Sequence, residues 1–236
     1  MYQKVLAWSV HLFTASGLLA GFMAILAINQ QDYRGAMLWL LLALVIDGID
    51  GSFARLFKVR EVLPQVQGKN IDYVIDFATY AIIPAYMIYQ MQMVPEAWNL
   101  PATFLILMVS AIYYGLDGMV SEDDYFVGFP VLWNMVTFLL VFVVTFSPLF
   151  NLLTILFFAV LHFVPLKFAY PSHRSRFFWP TIFASVLFLG SLLAIVWIYP
   201  VRNSWFTGAV LAAIAYFAIH SLLVTFDKTG ATREHP

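Results

Sequence analysis

Long apolar runs broken by short polar or proline-marked stretches set the pattern of this chain. About 20 apolar residues carry a helix across a bilayer. By that measure the runs predict eight spans, at approximately 6–28, 35–57, 70–92, 99–117, 130–147, 149–167, 178–199 and 205–226. Only the tight "TFSPLFN" turn around Pro148 separates the fifth from the sixth. The first run follows a single lysine and has no small-residue cleavage site, so it reads as a retained spanning helix rather than a removed signal. The expectation is an all-α, polytopic membrane protein whose residues 1–236 form one integral membrane domain.

Composition agrees with the pattern: 62% of residues are hydrophobic and 11% charged, too little charged surface for a soluble domain. A net charge of −1 gives no reason to expect a nucleic-acid partner. Cysteine is absent, which excludes disulfides and thiol chemistry. Basic residues set the orientation, because Lys and Arg accumulate in cytoplasmic loops near span ends. With both termini inside, Lys4, Arg55, Lys58, Arg60, Lys69, Lys167, Arg174, Arg176, Lys228 and Arg233 fall on the cytoplasmic side and only Arg34 and Arg202 outside.

Against this background the acids of "DGIDGSFARLFKVREVLPQVQGKNIDYVID" stand out. Asp47 and Asp50 are three residues apart at the cytoplasmic end of span two, and Asp72 and Asp76 four apart at the start of span three. Each spacing puts its pair on one helix face. Gly51 and Ala54 share the face of Asp47, and Gly68, Asp72 and Asp76 form a row at intervals of four, so that helices or a ligand can approach closely. Each carboxylate in the bilayer costs about 2.5–3.5 kcal/mol, so four unpaired ones cost on the order of 10 kcal/mol before repulsion. Arg55 alone cannot offset that. Two hard divalent cations can, and their field attracts a phosphorylated ligand. The alternatives are a proton or sodium relay in an ion-coupled transporter, or structural pairing with Arg55 and helix amides.

Asp47, Asp50, Gly51, Ala54, Arg55, a spacer of twelve residues, Gly68, Asp72 and Asp76 fill every fixed position of D-x2-D-G-x2-A-R…G-x3-D-x3-D. This resembles the signature of the CDP-alcohol phosphotransferases. The long spacer and eight spans, a six-helix core plus two extra helices, are similar to the inner-membrane branch of bacteria that transfers the phosphatidyl group of CDP-diacylglycerol to choline and releases CMP. The resemblance implies two Mn²⁺ or Mg²⁺ ions held by Asp47, Asp50 and Asp72, with Asp76 completing the site and acting as base. It implies room for the cytidine nucleotide at Gly51, Ala54 and Gly68, and a phosphate contact or brace at Arg55. His11 and Thr14, on one face of span one, are candidates to border that nucleotide. Serine, inositol or glycerol phosphate are the other acceptors the family implies.

Choline is a permanent cation, so aromatic faces with a nearby carboxylate suit it. "IYYGLDGMVSEDDYFVGFPVLWN" offers Tyr113, Tyr114, Asp117, Glu122, Tyr125, Phe126 and Trp133, although aromatic residues also form interfacial belts. Lys167, Arg174 and Arg176 either orient the chain or hold the phosphate of the lipid substrate. Gly17 and Gly21 form a G-x-x-x-G stripe, which implies close helix packing in the chain or a homodimer. His162 and His220 read as satisfied interior residues.

Overall fold

The computed structural model describes residues 1–121, 125–169 and 177–226. Among these, eight apolar helices follow one another: α1 (Tyr2–Asn29), α2 (Tyr33–Leu56), α3 (Gly68–Gln90), α4 (Glu96–Tyr114), α5 (Trp133–Val143), α6 (Pro148–Leu161), α7 (Phe178–Ile198) and α8 (Ser204–Phe226). Six are long and apolar enough to cross a membrane, so this is an all-α, multi-pass membrane protein. The two others are shorter than the spans expected at 130–147 and 149–167. Extended backbone at Val144 ends α5, and Pro148 opens α6, where its missing N–H costs nothing. After α6 the chain turns into strand rather than continuing as helix.

The chain forms two compact units, Met1–Tyr114 with Val131–Ile155, and Gly115–Pro130 with Leu156–Pro236. In the first, α1 and α2 are joined by a turn in which Asp32 accepts a hydrogen bond from the Gly35 amide at 2.8 Å, an N-cap that starts α2. A single helical turn, Val59–Val62, follows α2 and buries Val59 and Leu63 against Ala7 and Val10 of α1. α3 is not uniform: α-helical to Asp76, it widens to a π-helix over Phe77–Ile82 and resumes at Ile83. Pro84 accounts for this, since it has no N–H for the Tyr80 carbonyl and its ring crowds that group.

The G-x-x-x-G stripe packs within the chain. A Cβ on Gly17 would lie 3.1 Å from Ile75 Cγ2, and one on Gly21 would lie 2.9 Å from Ile83 Cδ1 and 3.3 Å from Thr79 Cγ2, all on α3. Ile75 meets Gly17 with a methyl rooted at its Cβ and cannot swing away, whereas Ile83 offers a mobile tip. Gly17→Val is therefore expected to destabilise by about 1–3 kcal/mol, and Gly21→Ala by less. Thermal unfolding in detergent measures both, and equal midpoints would contradict this packing.

The second unit contains the only sheet among the described residues, a short antiparallel pair, β1 (Phe126–Val127) with β2 (Lys167–Phe168), in which Phe126 faces Phe168. Gly128, at φ 82°, supplies the left-handed turn that closes β1. α7 and α8 pack together, with the hydroxyls of Thr181 and Tyr216 2.9 Å apart. His220, 2% exposed, lies among the rings of Tyr125, Phe177 and Tyr216. Neither of its nitrogens has a hydrogen-bond partner among the described residues, contrary to the expectation of a satisfied histidine. His162 is buried with Nδ1 2.7 Å from the Phe158 carbonyl.

Candidate functional site

The turn Val59–Val62, held to α1, brings the last turns of α2 beside the first turns of α3. The two acid pairs meet there. One carboxylate oxygen from each of Asp47, Asp50 and Asp72 lies within 4.8 Å of the others. Asp50 is buried, and Asp47 and Asp72 are half-buried and within hydrogen-bond reach of each other. Two carboxylates so placed repel unless a proton or a cation lies between them. Asp76 is half-buried one turn further along α3 and shares the electrostatic field of the other three acids. Its Oδ1 is fully buried and has no hydrogen-bond partner among the described residues.

This donor set consists of acceptor-only oxygens. Among the described residues no ion pair neutralises it: Arg55 is exposed, with Nη2 donating to Ser52 Oγ at 3.3 Å. A hard divalent cation meets both needs, since it supplies charge and fills lone pairs without needing a donor. The triad of Asp47, Asp50 and Asp72 is thus able to bind a metal ion.

Tyr80 was not singled out from the sequence. Its side chain is 5% exposed and its hydroxyl donates to Asp47 Oδ2 at 2.6 Å, linking α3 to α2. The row Gly68, Asp72, Asp76 continues at the same interval to Tyr80, a signal that could have found it. A hydrogen bond to a carboxylate contributes about 1.5–3 kcal/mol, and partners that orient a ligand carboxylate change metal affinity by roughly 10–100-fold. Tyr80→Phe is expected to weaken Mn²⁺ binding in that range, read by calorimetry on substrate-free protein. Unchanged affinity would show that Asp47 needs no such support.

Span one closes the site. The Thr14 hydroxyl donates to the Val10 carbonyl at 3.2 Å and lies within reach of Asp50. His11 is buried, and its Cε1 would be only 3.3 Å from a Cβ on Gly68, so glycine lets the start of α3 slide under the imidazole. Gly51 and Ala54 are half-buried, and a Cβ on Gly51 would meet only Arg55 Nη1, at 3.6 Å. Of these, Thr14 lies against an acid, Asp50, while Ala54 packs against the apolar cluster of Ala7, Val10, Val59 and Leu63.

The aromatic candidates scatter. Tyr114 is half-buried and its charged neighbours are Asp76, Asp47 and Asp72. Tyr113 is 2% exposed, and Trp133 is fully buried with its indole N–H donating to Ser110 Oγ at 2.9 Å. Asn134, beside it, accepts from the Met135 amide. In the second unit Asp117 is exposed, while Tyr125 and Phe126 are half-buried. Lys167 sits on β2 with Nζ 5.8 Å from the Tyr125 ring centroid and its amide donating to Thr225 Oγ1 at 2.8 Å. Glu122, Arg174 and Arg176 lie outside the described residues.

Fold and site together define a polytopic α-helical membrane protein with an acidic, cation-competent centre inside its helix bundle. The chain is 40% identical to the phosphatidylcholine synthase of Rhizobium johnstonii over 194 residues, which make up 82% of this chain and 79% of that one. It is 38% identical to the phosphatidylcholine synthase of Pseudomonas aeruginosa over 215 residues, 91% of this chain and 90% of that one. With the phosphatidylcholine synthase of Rhizobium meliloti it shares 40% identity over 170 residues, 72% of this chain and 70% of that one. The chain belongs to the phosphatidylcholine synthase family. No protein-family model matches it.

Proposed function

We propose that the chain makes phosphatidylcholine by moving the phosphatidyl group of CDP-diacylglycerol to choline, releasing CMP. It is an enzyme, a phosphatidyltransferase, and its signature resembles that of the CDP-alcohol phosphotransferases. The observation that carries the reading is the convergence of Asp47, Asp50 and Asp72 from two consecutive helices in a phosphatidylcholine synthase relative.

Asp47, Asp50 and Asp72 hold the metal, with Asp76 completing the set. Two divalent cations, Mn²⁺ or Mg²⁺, supply neutralisation of charge on the transferred and leaving oxygens when bound. In the transfer the choline oxygen attacks the phosphorus that carries the diacylglycerol. The bond from that phosphorus to the bridging oxygen breaks in line, and CMP leaves with the oxygen. The hydroxyl proton passes to Asp76, because a hydroxyl is a poor nucleophile near neutral pH unless a base takes its proton. Gly51, Ala54 and Gly68 admit the nucleotide, His11 and Thr14 border it, and Arg55 contacts its phosphates. Lys167, Arg174 and Arg176 hold the lipid phosphate. The donor's acyl chains stay in lipid while its head enters from the cytoplasmic face of the inner membrane, with both chain termini on that face and residues 1–236 acting as one catalytic domain.

The test is purified protein with CDP-diacylglycerol, Mn²⁺ and a panel of labelled alcohols. Labelled phosphatidylcholine with choline is the expected product. A labelled lipid formed instead from serine, inositol or glycerol phosphate would move the acceptor, and choline or ion flux across liposomes without product would favour a transporter.

A further inference from the structure

The acceptor's cation must be seated close to the base. In choline only two carbons separate the reacting oxygen from the quaternary nitrogen, so a proton passed to Asp76 fixes the ammonium within a side-chain's length of that residue. This argument rests on the reading given above.

The helix that carries Asp72 and Asp76 also carries Tyr73 and Phe77, each one residue further on and four apart from each other. They therefore form an aromatic row adjoining the acidic one. Tyr114, the last residue of α4, closes this row: its ring centroid is 5.6 Å from that of Tyr73 at 54° and 6.1 Å from that of Phe77 at 83°. All three rings are half-buried. Asp76 is foremost among the charged groups facing Tyr114. The Tyr73 face already attracts a cation, the ammonium of Lys69 at 5.1 Å from the ring centroid, on a long exposed side chain that can swing aside.

We infer that Tyr73, Phe77 and Tyr114 seat the quaternary ammonium of the acceptor, with Asp76 in reach of its hydroxyl. The chemistry selects this class of ligand. A trimethylammonium head has no N–H to satisfy and is held by π faces, which the corner supplies. The other aromatic candidates in this unit are used elsewhere: Trp133 and Tyr113 are buried, the indole on Ser110.

The experiment measures initial rates in lipid nanodiscs against choline and CDP-diacylglycerol separately. Phe77→Leu and Tyr114→Leu are each expected to raise the KM for choline about 2- to 30-fold, the range of one cation–π contact, with the KM for CDP-diacylglycerol unchanged. The parent is expected to prefer choline over its neutral isostere 3,3-dimethylbutanol, and the leucine variants to lose that preference. Leucine variants with the parent's choline KM, or with both KM values rising in parallel as a packing role requires, would overturn the inference. If the leucine variants do not fold, stepwise fluorination of Phe77 weakens the π face at nearly constant shape. Choline KM should then climb with each fluorine, and a flat series would overturn the inference. A parent that makes no lipid from choline refutes the proposed function instead, so the two failures are distinguishable.

Discussion

Asp76→Asn is expected to lower CMP release by about 10²–10⁴-fold, the contribution of a positioned general base, while metal binding persists in part. The amide oxygen of asparagine can still ligate a cation, but the side chain cannot accept the proton that choline must lose. Asp76 suits the role because its Oδ1 is buried without a hydrogen-bond donor of the protein's own, so the acceptor site is not already taken. CMP release and Mn²⁺ affinity measured on the same preparation check the prediction. Full turnover in Asp76→Asn would remove the base assignment, and complete loss of Mn²⁺ binding would make Asp76 chiefly a ligand.

Asp50→Asn is expected to reduce turnover on the order of 10³-fold, because a metal-polarised transfer draws several kcal/mol from its cation. Its effect on stability has the opposite sign in the metal-free protein. Four carboxylates crowd one end of the bundle, and Asp50 is the most buried of the triad. Removing its charge relieves repulsion and desolvation together. The metal-free variant should therefore melt at a higher temperature than the metal-free parent, while the rise in Tm on adding Mn²⁺ should shrink, since ligand-induced stabilisation follows affinity. An undiminished Mn²⁺-induced rise would show that Asp50 does not hold the ion.

Much of this architecture was legible from hydropathy alone, because the bilayer demands about 20 apolar residues per span and the sequence obeys at six of eight places. At residues 130–167 it located both helices, α5 and α6, but overran their ends, because an apolar run does not reveal where the chain turns extended or, at Lys167, begins a strand. Lys167 and Phe168 pair with Val127 and Phe126 through backbone contacts that no periodicity announces. The aspartates were legible because intervals of three and four place them on one face of each helix, and the short connection between α2 and α3 lets the faces meet. The Gly17 and Gly21 stripe was legible as a packing surface, but not its partner, which is α3.

Tyr80, Tyr73 and Phe77 were overlooked for a different reason. Aromatic residues are 18% of the chain, so a tyrosine in an apolar run carries little information until its neighbours across the bundle are known. Only the fold sets Tyr80 against Asp47, and only the end of α4 sets Tyr114 against Tyr73 and Phe77. The π-helical stretch that carries Tyr80 was likewise unannounced, although Pro84 explains it afterwards.

On the proposed function, the acids inside this bundle exist to hold divalent cations for a phosphatidyl transfer. The most direct measurement is a Mn²⁺ titration of metal-stripped protein in nanodiscs containing CDP-diacylglycerol and labelled choline, with bound manganese, CMP and labelled lipid counted in the same samples. No product is expected before metal, and then CMP and labelled phosphatidylcholine appear one for one as two ions bind per chain. Undiminished product formation under excess chelator would contradict it.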